Sequence, residues 1–398
     1  TLVSYSAAAA RRGGVELRKD LFMFFLGGVF GLTGMPMAFD VVTRVIVRAL
    51  RARGLEMDQY VDDGLGVSLA EDAAADQQQA DDYCRALLGS EAMAEEKAEQ
   101  GRTLVFIGYE INLEGNYVTI SRRNLLRSLH VFLTVDLGEG ARIPVKALQR
   151  LASLGTRYAA VCRLLEPFVL ILFRPFAGRA KMHSVELKDD EKVVVRLFRH
   201  LLVLQHFHGV EFARPLGSFT DREPTWGFVF DACLKGIGII WFRVIGGKEV
   251  AVHYTDVDLT PLELEEDSSY QNWAEFMALI LGIVGMDKLG VSGEPTITRG
   301  DSMTALSWGA RGRVRGALAT RAGMVLALLY VRRRVDLVKR QHIPGGDNGP
   351  SDCLSRGGTW LEALALDKER PSGMELREDL PRLELHCEKL VALCDPRR

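Results

Sequence analysis

Between Thr225 and Ile343 the chain carries three β-forming runs, TWGFVFDA, GIGIIWF and EVAVHYT, followed by alternating helical and extended segments. Ser268 to Met286 reads as a helix, TITRGD as a strand, Gly316 to Arg334 as a helix and VDLVKRQHI as a strand. SDCLSR begins or lies on a final helix. Three antiparallel strands followed by such alternation predict one mixed sheet with helices packed against it, an α/β (α+β) module.

Four carboxylates fall at telling places in this module. Asp231 ends the first strand, Glu275 lies inside the first helix, Asp301 closes the fourth strand and Asp352 follows the last one. Such positions can converge over one sheet edge. Clustered carboxylates repel unless divalent cations neutralise them, so a cluster implies Mg²⁺ or Mn²⁺ on hard oxygen ligands. Two metals about 3.5–4 Å apart can activate a water and stabilise the leaving oxygen of a phosphodiester. Taken singly, each aspartate also reads as an ordinary turn or cap residue.

The 398 residues suffice for two or three domains at roughly 150 each. With 47% apolar and 26% charged residues the chain is neither disordered nor collagenous. Its six cysteines are far apart with no CxxC pair, which argues against a zinc ribbon and fits a reducing, intracellular compartment. Leu21 to Phe39 is uncharged over 19 residues, but four glycines and Pro36 favour a buried strand–turn–helix over a membrane span. No membrane partner is expected.

A net charge of −2 conceals blocks. Glu56 to Glu99 holds 13 acidic and 2 basic residues, Tyr117 to Met182 holds 11 basic and 3 acidic, and Arg299 to His342 holds 10 basic and 2 acidic. The basic blocks are surfaces for a polyanion or solvated helix faces. Arg311, Arg313 and Arg315, in RGRVR, can grip a phosphate backbone or form a solvated loop. Upstream, Ala38 to Leu50 has helical apolar spacing, and Asp72 to Leu88 is a second helix. MDQYVDDGLGVSL reads as a hairpin turning at Asp62-Asp63-Gly64, and TLVFIGYEI and YVTI as a strand pair turning at Glu114-Gly115-Asn116.

Two sets of motifs resemble the reverse transcriptases of retroelements and their ribonuclease H domain. The first set is Asp231-Ala-Cys-Leu-Lys-Gly, Asn272-Trp-Ala-Glu275, Gly300-Asp301-Ser302, His342-Ile-Pro-Gly, Asn348, Asp352 and Leu354-Ser355-Arg356. The acids lie 44, 26 and 51 residues apart, in the family's order. The resemblance implies that Asp231, Glu275, Asp301 and Asp352 are metal ligands and that His342 aids proton transfer or product release, although His342 also reads as a merely exposed histidine. The second set is Val29-Phe-Gly-Leu, Tyr60-Val-Asp62-Asp63 and Phe106-Ile-Gly108-Tyr, which resemble palm and primer-gripping segments. There Asp62 and Asp63 would bind metal, and Lys97 would lie near the triphosphate, unless it is simply a surface lysine.

The organisation implied is a partial palm over residues 1–116, a mostly helical, basic thumb or connection over 117–223, a ribonuclease H-like domain over 224–357 and a tail, 358–398, of no assigned role. An LTR-type or DIRS-like element is the implied source. Expected partners are an RNA–DNA hybrid, an RNA template and a DNA primer. The family's further upstream aspartate has no counterpart here, since Asp20 lacks its context, so this chain alone is not expected to polymerise DNA. The rival readings are a decayed or repurposed copy that binds nucleic acid without catalysis, and a different two-metal nuclease or integrase-like enzyme.

Overall fold

The computed structural model of the chain describes residues 15–18, 21–23, 35–61, 63–90, 93, 98–177, 183–209, 212–291, 293–311, 317–333 and 336–395. They form two compact units that divide between Ile111 and Asn112. Helices and sheets are mixed throughout, an α/β architecture.

The first unit opens with an antiparallel pair, β1 (Val15–Arg18) and β2 (Leu21–Met23). Helix α1 (Met35–Arg51) buries Ile46 and Leu50 against Leu55, with Met57, Tyr83, Cys84 and Leu88 packed around them. Antiparallel β3 (Glu56–Tyr60) and β4 (Asp63–Val67) make the expected hairpin, and α2 (Ala73–Leu88) follows. Its tip departs from the Asp-Gly expectation. Tyr60 pairs with Asp63 and Gln59 with Gly64, so Asp63 and Gly64 belong to β4. Val61 turns the chain at φ 57°, and its carbonyl accepts the Gln59 side-chain N–H at 3.1 Å.

TLVFIGYEI also proves to be two strands, β5 (Thr103–Phe106) and β6 (Tyr109–Asn112). They divide at Ile107 and Gly108, with φ of 44° and 90°. A branched residue is rare in left-handed backbone, so this turn has no sequence signal at Ile107.

The second unit starts with β7 (Tyr117–Ile120), α3 (Arg122–Thr134), β8 (Arg142–Pro144), α4 (Val145–Val161) and α5 (Glu166–Phe173). It continues with β9 (Ser184–Glu186), α6 (Asp189–Phe207) and β10 (Ala213–Pro215). β8 pairs with β9 and β10 with β7, both antiparallel. Phe132 stacks on Phe198 at 5.2 Å, and Tyr158 meets Phe198 and Phe212 edge-on, joining α3, α4 and α6 in one core. Arg122, Arg123, Arg127 and His130 occupy the exposed face of α3.

Beyond lie β11 (Trp226–Cys233), β12 (Gly236–Ile245), β13 (Lys248–Asp258), α7 (Ser268–Lys288), β14 (Pro295–Gly300), α8 (Met303–Arg311) and α9 (Ala317–Arg333). The remaining elements are β15 (Asp336–His342), α10 (Gly349–Ser355), α11 (Trp360–Glu369), β16 (Met374–Glu375) and α12 (Glu388–Leu393). Six strands make the predicted mixed sheet in the order β15-β14-β11-β12-β13-β16. β11, β12 and β13 are antiparallel, β14 runs parallel to β11, and β15 runs parallel to β14.

Helix α7 is buried from Trp273 to Met286, as its nearly all-apolar sequence requires. It lies close on the sheet because Gly282 and Gly285 make room: a Cβ there would fall 2.3 Å from the Phe228 ring and 2.1 Å from the Trp241 ring. Val229, Ile240 and Phe242 join Leu354, Trp360 and Ala363 in a separate cluster with α10 and α11. The residues after 357 are part of this structure. β16 pairs parallel with β13, Trp360 stacks on Tyr254 at 4.7 Å, and the Trp273 indole N–H donates to the Cys394 carbonyl at 2.9 Å. Among the described residues no helix is long and apolar enough to cross a membrane.

Candidate metal centre

The parallel pairing of β11 with β14 matches Val229 with Arg299. Two residues further along each strand direction come Asp231 and Asp301, which therefore emerge level at the same sheet edge. Helix α7 brings Glu275 to that edge. One carboxylate oxygen from each of Asp231, Glu275 and Asp301 lies within 4.8 Å of the others. Asp231 and Glu275 are buried, Asp301 half-buried.

Neighbouring side chains fix the orientation of two of these carboxylates. The Ser355 hydroxyl donates to Asp231 Oδ2 at 2.7 Å, and the Asn348 amide donates to the Phe230 carbonyl at 3.0 Å and to Asp231 Oδ1 at 3.4 Å. Gln271, one turn before Glu275, donates to the Ala232 carbonyl at 2.7 Å and to Glu275 Oε1 at 3.2 Å. Glu275 Oε2 is buried without a hydrogen-bond partner. Such an orphan is costly unless something positive approaches it.

Protonation equilibria carry the same message. Burial pushes the Asp231 carboxyl up to about 7; Asp301 and Asp352 add to the rise, while Ser355 and Arg356 oppose it. Burial pushes Glu275 up to about 9, reinforced by Asp231 and Asp301 and opposed by Gln271 and the Ala232 backbone. Two buried carboxyls that resist ionising, a third carboxylate beside them and one oxygen unpartnered form a donor set suited to a hard divalent cation.

The fourth acid stands beside this group rather than in it. Asp352 is close enough to raise the Asp231 pKa, but its Oδ1 accepts both Nε and Nη2 of Arg356 at 2.7 Å. An arginine one helical turn away thus neutralises it. The register of β14 with β15 sets exposed His342 beside Gly300, and the loop after it passes near Asp301, where a Cβ on Gly345 would fall 3.1 Å from Oδ2. Asp63, exposed at the head of β4, belongs to the first unit. Arg311 is the last residue of α8, while Asp62, Lys97, Arg313 and Arg315 lie outside the described residues.

Gln271, Asn348, Ser355 and Arg356 gained no individual role from the sequence. The signal was there for two of them: Gln271 and Arg356 each lie four residues from an acid, one helical turn.

No family model and no curated protein matches the chain. Among solved structures, the chain is similar to a foamy viral protease–reverse transcriptase in complex with double-stranded DNA, at 14% identity and a TM-score of 0.42, over 85% of this chain and 54% of that one. It is also similar to LC11-RNase H1 in complex with an RNA/DNA hybrid, at 20% identity and a TM-score of 0.28, over 35% of this chain and 99% of that one. RNase H1 from the halophilic archaeon Halobacterium salinarum NRC-1 shows 19% identity and a TM-score of 0.26, over 34% of this chain and 97% of its own. The chain spans about half the length of the foamy viral protein. At these scores the chemistry rests on the side chains alone.

Proposed function

We propose that the second unit is a metal-dependent nuclease of ribonuclease H type, hydrolysing the RNA strand of an RNA–DNA hybrid, and that the chain is part of a retroelement reverse transcriptase. One observation carries the reading: Asp231, Glu275 and Asp301 converge at a sheet edge around the unpartnered Glu275 oxygen. The choice of hybrid rests on the motifs around the four acids, and the polymerase remnant on the YVDD hairpin and its neighbours.

Asp231, Glu275 and Asp301, with Asp352 adjacent, would hold Mg²⁺ or Mn²⁺. Bound there, the cations supply an acidified water and charge stabilisation for the leaving oxygen of a phosphodiester. Ser355 and Asn348 hold the Asp231 carboxylate in one orientation, and Gln271 does the same for Glu275. His342, exposed beside Gly300, would aid proton transfer or product release. The basic face of α3 offers phosphate contacts, and a preference for the hybrid would come from shape and 2′-hydroxyl contacts.

The test is a cleavage assay. Full-length chain with Mg²⁺ and a labelled hybrid should release RNA fragments, and Asp231→Asn or Asp301→Asn should abolish the release. Retained cleavage in both variants would refute the site. Equal cutting of duplex DNA would favour a different two-metal nuclease. Salt-sensitive hybrid binding with no Mg²⁺-dependent turnover would select the non-catalytic reading.

A further inference from the structure

Two contacts at the C-terminal end of α10, from Ser355 and from the following Arg356, reach the acids, and they differ in kind. Ser355 is buried, 1% exposed, and its hydroxyl bridges Asp231 Oδ2 at 2.7 Å and the Asp352 carbonyl at 2.9 Å. The backbone of α10 is also seated against β12, where a Cβ on Gly238 would fall 2.3 Å from the Ser351 carbonyl. The helix therefore has little freedom to shift. Arg356 is the opposite case: its side chain is 67% exposed and its ion pair with Asp352 faces solvent. Ion pairs of that kind are weak and exchange easily.

Resting on the nuclease reading above, we propose that Arg356 is a latch that holds Asp352 back from the three-carboxylate centre until a nucleic-acid phosphate draws the guanidinium away. Asp231, Glu275 and Asp301 already lie together and need no rearrangement to receive a first cation. Asp352 is next to them, yet both nitrogens that Arg356 presents are spent on its Oδ1. A second cation that uses Asp352 through Oδ1 must displace them, and one that uses Oδ2 meets the guanidinium charge on the same carboxylate. Arginine binds phosphate through the same planar fork with which it binds carboxylate, so an incoming phosphodiester competes directly for the latch. Release needs only side-chain rotation, because Ser355 keeps the helix in place. Full metal loading is thereby coupled to the presence of substrate, and Arg356 acts as a positioning residue.

The experiment is calorimetric titration of Mn²⁺ into the full chain without nucleic acid, comparing wild type with Arg356→Gln, Arg356→Lys and Arg356→Gln/Asp352→Asn. Arg356→Gln should tighten the second binding event by about 5- to 10-fold while the first changes by less than about 2-fold. Arg356→Lys, which keeps the charge but loses the fork, should fall between, and the double variant should lose the second event. In the cleavage assay, Arg356→Gln should raise KM for the hybrid and lower the Mn²⁺ concentration needed for half-maximal rate. Equal tightening of both events is a bulk charge effect and overturns the latch, as does a second event untouched by either Arg356 variant. If the titrations behave as expected but wild type cleaves no hybrid, the nuclease reading fails and the latch stands.

Discussion

Glu275, buried at 6% exposure on a helix packed between a sheet and two other helices, has its carboxylate next to those of Asp231 and Asp301. Its folded pKa of about 9 and that of Asp231 near 7 both exceed the ordinary values of 4.5 and 3.8. The folded protein thus binds more protons than the unfolded chain between those limits, and stability falls as pH rises. The stabilisation is complete below about pH 4, is lost through about 7 for Asp231 and through about 9 for Glu275. Metal-free protein should therefore melt roughly 5 °C lower at pH 8.5 than at pH 5.5, and millimolar Mg²⁺ should restore most of that at the higher pH. Thermal melts with EDTA and with Mg²⁺ check it; a flat profile would place the carboxylates apart. The four acids were legible in the sequence because each has a distinct place on a strand end or helix. The division into three plus one was not, since Arg356 can serve either as a helix-end cation or as an ion-pair partner, and spacing alone does not choose.

At the scale of elements, the candidate site depends on how closely α10 lies on the sheet. Gly238 pairs directly with Asp231 across β11 and β12, and a Cβ there would meet the Ser351 carbonyl at 2.3 Å and the Ser355 amide nitrogen at 2.8 Å. Both are backbone atoms and have no way to rotate aside. Gly238→Ala should lift α10, costing about 1–3 kcal/mol of stability and about 10²-fold in hybrid cleavage through misplaced Ser355 and Asp352. Denaturant melts and single-turnover rates measure the two effects; a fully active variant would show that α10 does not set the site. The long apolar strands and α7 were readable because their burial imposes an unbroken pattern. The turn at Val61 and the break at Ile107 were not, as both put a branched residue at positive φ where sequence rules expect glycine or asparagine.

For the whole molecule, the stretch from Gly358 to Asp395 decides how the second unit closes. It adds β16 to the open side of β13, bonds Tyr254 through Pro381 and Leu383, pairs Arg382 with Asp256 at 2.7 Å, and presents the Cys394 carbonyl to Trp273. These are mostly backbone bonds to a sheet edge, indifferent to side-chain identity, so periodicity gave no hint of them. Deleting residues 374–398 should bare the β13 edge and orphan the Trp273 N–H. The product should aggregate, or melt at least about 5 °C below the full chain. Trp273→Phe alone should cost about 1–3 kcal/mol. Light scattering and melting curves decide, and an equally stable, soluble deletion would make this stretch dispensable.

Such a strap also imposes an order on biosynthesis. Trp273, on the helix bearing Glu275, leaves the ribosome 121 residues ahead of the Cys394 carbonyl that it requires. A nascent chain cannot pair the Trp273 N–H or cover the β13 edge until this strap has emerged and folded back, and products terminated before it would be released with both unsatisfied.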